Sequence, residues 1–386
     1  MEIYVVQEGD NVDEIALNHN ANVWRVIEDN QLEYPYRLAV GQALVIENEP
    51  IGVNRKQREK RQISSGGYAY PFINGQVLES TLPFLSELSV FSYGFTEEGA
   101  LIPPMQDDRW MIEASRQFFT KPVLTLTPLG ADGHFNNNLI TRLINNRQVQ
   151  ERLIWNLGAE VTEKGYKGIN VDFEYILPED KNGFTFFVGR LTQVMNLFGY
   201  QVSVALAPKT SANQKGLLYE GVDYQGLGRA ANEVFLMTYE WGYTYGPPMA
   251  VAPLNMVRRV VNYALTEIPA EKVILGIPNY GYDWPLPYQN GVTKAKTIGN
   301  IEAVKLAVGY GVPIQFDPVA QSPFFRYWQY GVQHEVWFED ARSIQAKLNL
   351  VLEYGLKGIG YWQLMRFFQV SWLLMENMFE VEKEKD

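Results

Sequence analysis

The chain has 386 residues with 33 basic and 44 acidic side chains, which give it a net charge of -11. This balance leaves no basic face for nucleic acid, so nucleic acid is excluded as an expected partner. The absence of cysteine excludes disulfide bonds, thiolate nucleophiles and zinc–thiolate sites.

Size and hydrophobicity predict two domains, because 46% hydrophobic residues in a chain of this length can build one large core and a small appended module. Residues 1–10 contain neither a basic start nor an apolar run of signal-peptide length. No later segment approaches the ~18 uninterrupted apolar residues of a membrane span. We therefore expect no signal peptide and no membrane partner, and we favour a monomer.

The first predicted elements form a small βααβ module at residues 1–47. Residues 3–7 alternate like a short strand, and Asn11 with Glu14 has capping-box spacing before a first helix. A second helix is predicted at 24–29. A second strand, within 38–46, closes the module.

This module resembles a LysM domain, and the resemblance rests on residues 4–10, on Asn30, and on 38–46 with its Gly41-Gln42 pair. LysM domains bind N-acetylglucosamine in peptidoglycan or chitin through the loop after the first strand and the loop before the second. The resemblance therefore implies glycan-binding residues in these loops: Gly9, Asp10, Asn11, Val12, Asn30, Pro35 and Leu38. The alternative is that these residues only shape turns, as Gly, Asp, Asn and Pro commonly do.

Residues 48–66 lose hydrophobic periodicity and are predicted to be a linker. They include Arg55, Lys56, Arg58, Lys60 and Arg61. A solvated connector is the simplest interpretation of such a basic run, and contact with an anionic wall polymer is the alternative.

Residues 67–380 are predicted to form a (β/α)8 TIM barrel, a fold of the α/β class. Short apolar runs alternate there with helical patterns, and the candidate strands are 68–72, 88–93, 122–127, 168–174, 201–208, 233–239, 272–280 and 357–363. Between the last two runs, the segments 314–316, 324–328 and 335–338 also resemble strands. They predict a small α+β insertion that walls one side of a cleft at the carboxyl ends of the barrel strands.

The fourth candidate strand carries the most informative pattern in the chain. Asn170, Asp172 and Glu174 alternate with apolar residues, so in a strand all three side chains share one face. Because this strand is expected to be buried on both sides, unpaired acids there would be costly. The pattern therefore favours a catalytic site over the alternative of a solvated edge strand.

The acidic strand resembles the signature of glycoside hydrolase family 18, whose fourth barrel strand ends in the catalytic glutamate. The resemblance covers residues 67 to about 375, since Met237-Thr238-Tyr239-Glu240 matches the family's Met-x-Tyr-Asp motif and Trp362 its strand-eight tryptophan. It implies substrate-assisted retaining cleavage of a glycan, with the sugar's own 2-acetamido group as nucleophile.

The resemblance also implies a role for each matched residue. Glu174 would be the general acid and base, kept protonated by a neighbouring carboxylate in a semi-dry site. Asp172 would orient the acetamido N–H and stabilise the oxazolinium charge, and Tyr239 would hold the acetamido carbonyl. Trp362 would form the floor under the sugar.

Two residues depart from the family motif. Asn170 stands where the family has an acid, and it is expected to hydrogen-bond Asp172 without sharing its charge. Glu240 stands in place of aspartate. Asp172 should therefore be less perturbed than in members with the full acid series.

Polar and aromatic residues at the predicted strand ends are candidates for substrate binding, because aromatic faces stack on sugar rings. The candidates are Tyr70, Thr127, Met237, Glu240, Trp241, Asn279, Tyr280, Trp362 and Gln363, with Tyr243, Tyr245, Tyr282 and Trp284 in the following loops. The alternative for about half of these aromatic residues is packing in the core.

The combination of a LysM module, this barrel, no cysteine and no signal peptide is similar to the spore-cortex-lytic N-acetylglucosaminidases of endospore-forming bacteria. Residues 321–325, 337–343 and 358–364 strengthen that similarity. It implies cleavage after N-acetylglucosamine in peptidoglycan, by an enzyme made in the cytoplasm of a sporulating cell and deposited in the spore coat or cortex region.

Two alternatives remain. A chitinase or chitooligosaccharide hydrolase would use the same mechanism on another polymer. A glycan-binding lectin on an inactive barrel would usually lack the terminal glutamate, which is present here as Glu174. No cofactor is expected, and no metal site, because His19, His134 and His334 lie far apart without ligand spacing.

Overall fold

A computed structural model describes residues 1–48, 60–130 and 132–384 of the chain. The strands in these residues are β1 (Glu2–Val5), β2 (Ala43–Ile46), β3 (Arg61–Ala69), β4 (Glu87–Phe95), β5 (Leu101–Ile102), β6 (Lys121–Leu126), β7 (Gly168–Val171), β8 (Gln201–Leu206), β9 (Glu233–Leu236), β10 (Val273–Pro278), β11 (Gly281–Leu286), β12 (Lys296–Ile298), β13 (Gln315–Asp317), β14 (Ser322–Gln329), β15 (Val332–Trp337), β16 (Gly358–Trp362) and β17 (Phe379–Val381). The helices are α1 (Val12–Asn18), α2 (Val23–Asp29), α3 (Gly75–Thr81), α4 (Arg109–Gln117), α5 (Asn137–Ile144), α6 (Arg147–Lys164), α7 (Lys181–Leu197), α8 (Tyr224–Ala230), α9 (Leu254–Glu267), α10 (Asn300–Tyr310), α11 (Ala341–Tyr354) and α12 (Gln369–Met378).

Eight of the described strands form a closed parallel barrel, which confirms the predicted TIM barrel. Their order is β3, β4, β6, β7, β8, β9, β10 and β16, and β16 pairs back to β3. Some of the strands are near-continuous apolar runs, because parallel strands of this kind are covered on both faces. Strand β10, for example, is buried along its whole length.

The first barrel strand begins earlier than predicted. Strand β3 starts at Arg61, so residues 61–66, assigned to a linker from the sequence, belong to the barrel. Small residues misled the prediction: Ser64 and its neighbours look like a connector, but they permit a close approach to β16, where a Cβ on Gly358 would lie 1.8 Å from the Ser64 carbonyl oxygen. Residues 49–59 of the predicted linker lie outside the described residues.

The N-terminal module has the predicted βααβ order. Strands β1 and β2 pair antiparallel, with Glu2 opposite Ile46. The Asn11 side chain accepts a hydrogen bond from the Glu14 backbone N–H at 3.0 Å, which caps α1 as its spacing predicts. Both helices pack their apolar faces on the two strands in a small separate core.

An antiparallel sheet of five strands lies between β10 and β16, as the insertion prediction required. Its order is β12, β11, β15, β14 and β13, and helix α10 packs against it. Strands β11 and β12 were not predicted. Strand β11 starts three residues after β10 ends, so it carries the chain directly from the carboxyl end of the barrel into the insertion.

The LysM module docks on the barrel and its insertion through the loop between α2 and β2. The backbone N–H of Ile314 donates to the Val40 carbonyl at 2.8 Å, and Arg342 donates to the Gly41 carbonyl at 3.1 Å. A Cβ on Gly41 would lie 1.9 Å from the Ile314 carbonyl oxygen, so only glycine fits this contact. Gln31 accepts a further bond from the Gln369 backbone N–H at 2.7 Å.

The opposite, amino-terminal mouth of the barrel holds a charged cavity of about 360 Å³. Its charged residues come from the barrel strands and the C-terminal segment: Glu87, Lys121, Glu233, Lys357, Glu382, Lys383 and Glu384. Burial, reinforced by the charge of Glu233, raises the pKa of Glu87 to about 7. Lys357 forms an ion pair with Glu233 at 2.9 Å.

The Glu87→Gln variant should be more stable than the wild type at pH 8 by about 1 kcal/mol. The pKa of Glu87 in the folded protein lies above its unfolded value of 4.5. The contribution of protonated Glu87 to the stability of the fold is therefore complete below pH 4.5 and is lost as the pH rises through 7. We expect a stability difference smaller than the full pKa difference would give, because the cavity admits water, which screens the charge of Glu87. Urea unfolding of both proteins at pH 4.5 and pH 8 measures the difference, and an equal difference at the two pH values would contradict it.

Candidate active site

The carboxyl ends of the barrel strands surround a cleft of about 600 Å³. Acidic and aromatic side chains dominate its walls, which consist of Tyr68, Tyr70, Phe91, Phe135, Asp172, Glu174, Tyr175, Pro208, Leu218, Tyr219, Met237, Tyr239, Glu240, Trp241, Tyr243 and Trp362. Of the predicted catalytic residues, the cleft brings Asp172, Glu174 and Tyr239 together. Of the predicted substrate-binding residues, it includes Tyr70, Met237, Glu240, Trp241, Tyr243 and Trp362.

The two acids lie just beyond strand β7, which is shorter than predicted and ends one residue before Asp172. The Asp172 backbone N–H still donates to the Leu126 carbonyl at 2.9 Å, so the alternation of side chains continues. Phe173 is buried between the acids and stacks on Phe95 at 5.7 Å. Because Phe173 points into the core, Asp172 and Glu174 point into the cleft.

The electrostatics of the cleft favour a retained proton. Asp172 is 7% exposed, and burial, together with the charge of Glu174, raises its pKa well above the usual value. Burial also raises the pKa of Glu174, and the charge of Glu240 adds to the effect. Carboxyl groups that share a poorly solvated site cannot all ionise together, so the cleft can hold a proton for transfer.

Glu240, which replaces the family's aspartate, is tied to two tyrosines. The hydroxyl groups of Tyr280 and Tyr282 donate to its carboxylate, that of Tyr282 at 2.9 Å. Burial raises the pKa of Glu240, and these two hydrogen bonds oppose that rise. The predicted substrate-binding residue Tyr280 thus acts on the cleft through Glu240 and does not line it.

Asn170 lies beneath the cleft and is held by other partners than predicted. Its Oδ1 accepts from the Tyr68 hydroxyl at 3.0 Å, and its Nδ2 donates to the Ser203 hydroxyl at 2.8 Å. The predicted hydrogen bond between Asn170 and Asp172 is therefore wrong, because the amide oxygen and the amide nitrogen of Asn170 bond Tyr68 and Ser203 instead. In the described part of the chain, Oδ1 of Asp172 is buried and has no hydrogen-bond partner.

The Asn170→Asp variant should shift the acid limb of the pH–rate profile upward. A carboxyl group at this buried position would disfavour the ionised form of Asp172 and raise its pKa further. We expect a shift of about one pH unit, measured as kcat/KM between pH 4 and pH 8. The Asn170→Ser variant, which adds no charge, is the control. An unchanged profile in Asn170→Asp would contradict the coupling.

Trp362 sits among three aromatic rings at the base of the cleft. Its ring centroid lies 5.5 Å from that of Tyr68, 5.0 Å from that of Phe91 and 6.3 Å from that of Tyr70. These contacts fix the indole, and its partly buried side chain still faces the cleft. Trp362 therefore contributes apolar surface to the lining of the cleft.

Three predicted substrate-binding residues lie away from the cleft and bind neighbouring backbone groups. The Thr127 hydroxyl donates to the Tyr93 carbonyl at 3.1 Å. The Asn279 amide donates to the Gln363 carbonyl at 3.2 Å, and the Gln363 side chain accepts from the Met365 N–H at 2.8 Å. Thr127 thus joins the end of β6 to β4, whereas Asn279 and Gln363 bond the segment that follows β16.

Several cleft residues were not predicted from the sequence. Tyr175 directly follows Glu174 in the sequence, and this position could have identified it as a cleft residue. Phe91 lies on β4, where alternation could have placed it on the inner face. Phe135, Leu218 and Tyr219 come from loops that no periodic pattern connects with the acids.

The predicted residues of the first LysM loop have local structural roles. Gly9 has a φ of +89°, which favours glycine. Asp10 accepts from the Tyr4 hydroxyl at 2.7 Å, Asn11 caps α1, and Val12 is buried in the module core.

In the second LysM loop, Asn30 is buried and its side chain bonds the backbone N–H and carbonyl of Val45 at 2.7 and 2.8 Å. Asn30 is therefore a structural residue that joins α2 to β2. Pro35 is exposed, and Leu38 packs against the module core.

No group of three or more His, Asp or Glu side chains within the described residues is arranged to hold a metal ion. His334 bonds Asp283 at 2.8 Å, and His19 bonds Glu2, each as part of the local fold. The helices in the described ranges are too short or too polar to span a membrane.

Comparison with known families identifies the class of protein. Residues 116–366 match Glycosyl hydrolases family 18, and residues 4–47 match the LysM domain. The chain therefore belongs to glycosyl hydrolases family 18 and is a glycosidase with an N-terminal LysM domain.

Similar proteins cover both domains. The chain is 37% identical to the cortical fragment-lytic enzyme of Bacillus subtilis (strain 168), with 100% of this chain and 99% of that protein aligned. The crystal structure of the Bacillus cereus spore cortex-lytic enzyme SleL matches with a TM-score of 0.94 and 32% identity, covering 100% of this chain and 99% of that one. That of Bacillus megaterium QM B1551 SleL matches with a TM-score of 0.92 and 34% identity, covering 99% and 98%.

Proposed function

We propose that the protein hydrolyses β-1,4 linkages after N-acetylglucosamine in the peptidoglycan of the spore cortex. The observation that carries this proposal is the acid pair Asp172 and Glu174. Asp172 is buried and Glu174 is half-buried, and both line one cleft with Tyr239 and Trp362. The similarity to cortex-lytic enzymes over the whole length of the chain supports the choice of polymer.

Glu174 supplies the proton that the leaving glycosidic oxygen needs. Its raised pKa keeps this carboxyl protonated at a higher pH than an exposed glutamate would be. As the bond to the leaving oxygen breaks, the substrate's 2-acetamido oxygen attacks the anomeric carbon and closes an oxazolinium ring. Glu174, now ionised, takes a proton from the water that attacks the anomeric carbon and opens that ring. The two steps each invert this carbon, so the overall reaction retains its configuration.

Asp172 and Tyr239 hold the acetamido group for this attack. Within the described residues, Oδ1 of Asp172 is a hydrogen-bond acceptor without a partner, and the acetamido N–H is a donor that fits it. The charge of Asp172 then stabilises the positive oxazolinium ring. The Tyr239 hydroxyl donates to the acetamido carbonyl, and Trp362 supports the sugar from below.

The LysM module supplies additional contact with the glycan. We infer deposition of the protein in the spore coat or cortex region of the sporulating cell that makes it. This inference rests on the similarity to spore cortex-lytic enzymes.

Digestion of cortex peptidoglycan and of chitin tests the proposal. The new reducing ends are identified by mass spectrometry after digestion with the wild type and with Glu174→Gln. We expect N-acetylglucosamine ends from cortex with the wild type and none with the variant. Products from chitin but not from cortex would replace the cortex proposal with a chitinase.

A further inference from the structure

Residues 210–222 form a loop between strand β8 and helix α8. Two side chains of this loop, Leu218 and Tyr219, line the catalytic cleft together with Glu174. The loop therefore supplies part of the cleft wall from outside the barrel strands, and what holds it in place also sets the shape of the cleft.

The buried side chain of Lys209 joins the two ends of this loop. Lys209 is 2% exposed, and its ammonium donates to the Ala212 carbonyl at 3.2 Å and to the Val222 carbonyl at 2.9 Å. Its backbone N–H donates to the Tyr224 hydroxyl at 2.9 Å. One residue thus binds the first part of the loop, its last residue and the start of α8. A compact loop with close ends of this kind is frequently functional.

The hydrogen bonds of Lys209 continue to Tyr219 through the backbone. The Val222 N–H donates to the Tyr219 carbonyl at 3.1 Å, and the Tyr219 N–H donates to the Gly216 carbonyl at 2.9 Å. Val222 therefore connects the Lys209 ammonium with the backbone of Tyr219. Two hydrogen bonds, one on each side of Val222, link the buried lysine to a residue of the cleft wall.

The loop also packs closely on the segment that follows the two acids. A Cβ on Gly221 would lie 2.0 Å from the Ile176 carbonyl oxygen, so glycine permits this close approach. Ile176 lies two residues after Glu174 in the sequence. The loop is thus held against the chain next to the general acid as well as by Lys209.

A buried ammonium is costly at this position, because lysine is rarely fully buried without a carboxylate partner. Burial lowers the pKa of Lys209, and the charge of Lys181 adds to this effect. A methionine of similar length would fill the same space without that cost. What lysine adds is the pair of hydrogen bonds to the loop carbonyls of Ala212 and Val222.

Tyr219 belongs to a group of three tyrosines beside Glu174, and all of them line the cleft. Burial and the charge of Glu174 raise the pKa of Tyr175. Tyr243 and Tyr219 add to this rise, as expected for groups that lie near one another. Because aromatic faces stack on sugar rings, this group of tyrosines fits one sugar unit next to the acid.

We infer that Lys209 is a positioning residue for the glycan: through the loop of residues 210–222 it holds Tyr219 in place to stack on the sugar unit beside Glu174. The inference rests on the proposed function, because it requires a glycan in the cleft. Lys209 is buried behind the loop, so it acts through Tyr219 and does not contact the sugar. Its loss should therefore weaken binding and leave the chemical step at Glu174 nearly unchanged.

Steady-state hydrolysis of a soluble N-acetylglucosamine oligomer tests this inference. Lys209→Met removes the two hydrogen bonds to the loop and keeps a side chain of similar length. We expect KM to rise about tenfold, the effect of losing one stacked ring, with kcat within twofold of the wild type. A merely structural role would instead reduce the amount of folded enzyme, which lowers the apparent kcat and leaves KM unchanged. An unchanged KM would overturn the inference.

Lys215→Met is the matched control for this variant. Lys215 belongs to the same loop, but its ammonium is on the surface and pairs with Glu220 at 3.3 Å. A surface pair of this kind contributes little to the fold, so Lys215→Met should keep the wild-type KM. An equal rise in KM in Lys209→Met and Lys215→Met would count against a specific role for the buried lysine.

A double-mutant cycle shows whether Lys209 acts through Tyr219. Tyr219→Ala alone should raise KM about tenfold, and adding Lys209→Met to it should raise KM less than twofold further. Two effects that multiply in the double variant would mean that the residues act independently, and the inference would be wrong. If Lys209→Met does not fold, the same cycle is run with Lys209→Gln, whose shorter amide keeps a polar group in the buried site.

The same cycle, measured as dissociation constants of the N-acetylglucosamine trimer in a Glu174→Gln background, separates this inference from the proposed function. Binding to that chain does not depend on cleavage. Normal wild-type hydrolysis with the wild-type KM in Lys209→Met contradicts the inference alone. Trimer affinities that follow the cycle, without hydrolysis of cortex or oligomer by the wild type, support the inference and contradict the proposed function.

Discussion

Glu174→Gln is expected to lower kcat/KM for a soluble N-acetylglucosamine oligomer by about a thousandfold, because general acid catalysis contributes roughly 10²–10⁴ in rate. Glutamine keeps the size of the side chain and can accept or donate a hydrogen bond, but it cannot release a proton to the leaving oxygen. The loss should fall on kcat, with KM changed little, since Glu174 acts mainly in the transition state.

The control for this prediction is Glu179→Gln, which changes an exposed glutamate five residues further along the same loop. It should keep wild-type activity. In the wild type, the raised pKa of Glu174 sets the basic limb, so activity should fall as pH rises through that pKa. Comparable activity in Glu174→Gln and Glu179→Gln would remove Glu174 from the mechanism.

Lys347→Met is expected to destabilise the fold by about 3–5 kcal/mol, the usual result of removing one partner of a buried ion pair. Lys347 and Glu339 are both fully buried, and the ammonium is the partner that compensates the Glu339 charge. Burial already raises the pKa of Glu339, and without Lys347 it should rise further. The destabilisation should therefore shrink at low pH, where Glu339 takes up a proton.

Urea unfolding at pH 7 and pH 4.5 measures this effect, with Lys305→Met as the matched control. Lys305 pairs with Glu33 on the surface, where an ion pair contributes about 0–1 kcal/mol. The double variant Lys347→Met with Glu339→Gln should recover part of the lost stability, because no unpaired charge is left buried. Equal midpoints for Lys347→Met and Lys305→Met would refute the prediction.

The barrel and the acid pair could be predicted from the sequence because both depend on local periodicity. Alternation around Asn170, Asp172 and Glu174 requires only that neighbouring side chains point to opposite faces. The end of strand β7 was placed too late, since Asp172 keeps a backbone bond of the ladder after the strand itself has ended.

The remaining parts of the site depend on contacts between distant segments. Thr127 and Asn279 were predicted to bind substrate because they are polar and close to strand ends. Their hydrogen bonds go to backbone groups of Tyr93 and Gln363, and no local pattern reveals such partners. Phe135 and Leu218 reach the cleft from separate loops for the same reason.

Gly41 shows most clearly what a local sequence pattern cannot predict. Its position in the sequence is explained by a turn, and its φ of +82° agrees with that explanation. The structure adds a second requirement, the close approach of Ile314, which lies more than 270 residues away in the chain.

The bonds of Val40, Gly41 and Gln31 to the barrel domain have a consequence for how the enzyme would work on a polymer. A module on a flexible linker samples many positions, and the length of the linker sets the effective concentration of its target. Here these hydrogen bonds dock the module against the barrel domain and its insertion. A glycan strand bound by the module would reach Asp172 and Glu174 at a fixed distance along its length. The protein would then cleave the strand at a set number of sugar units from the bound position.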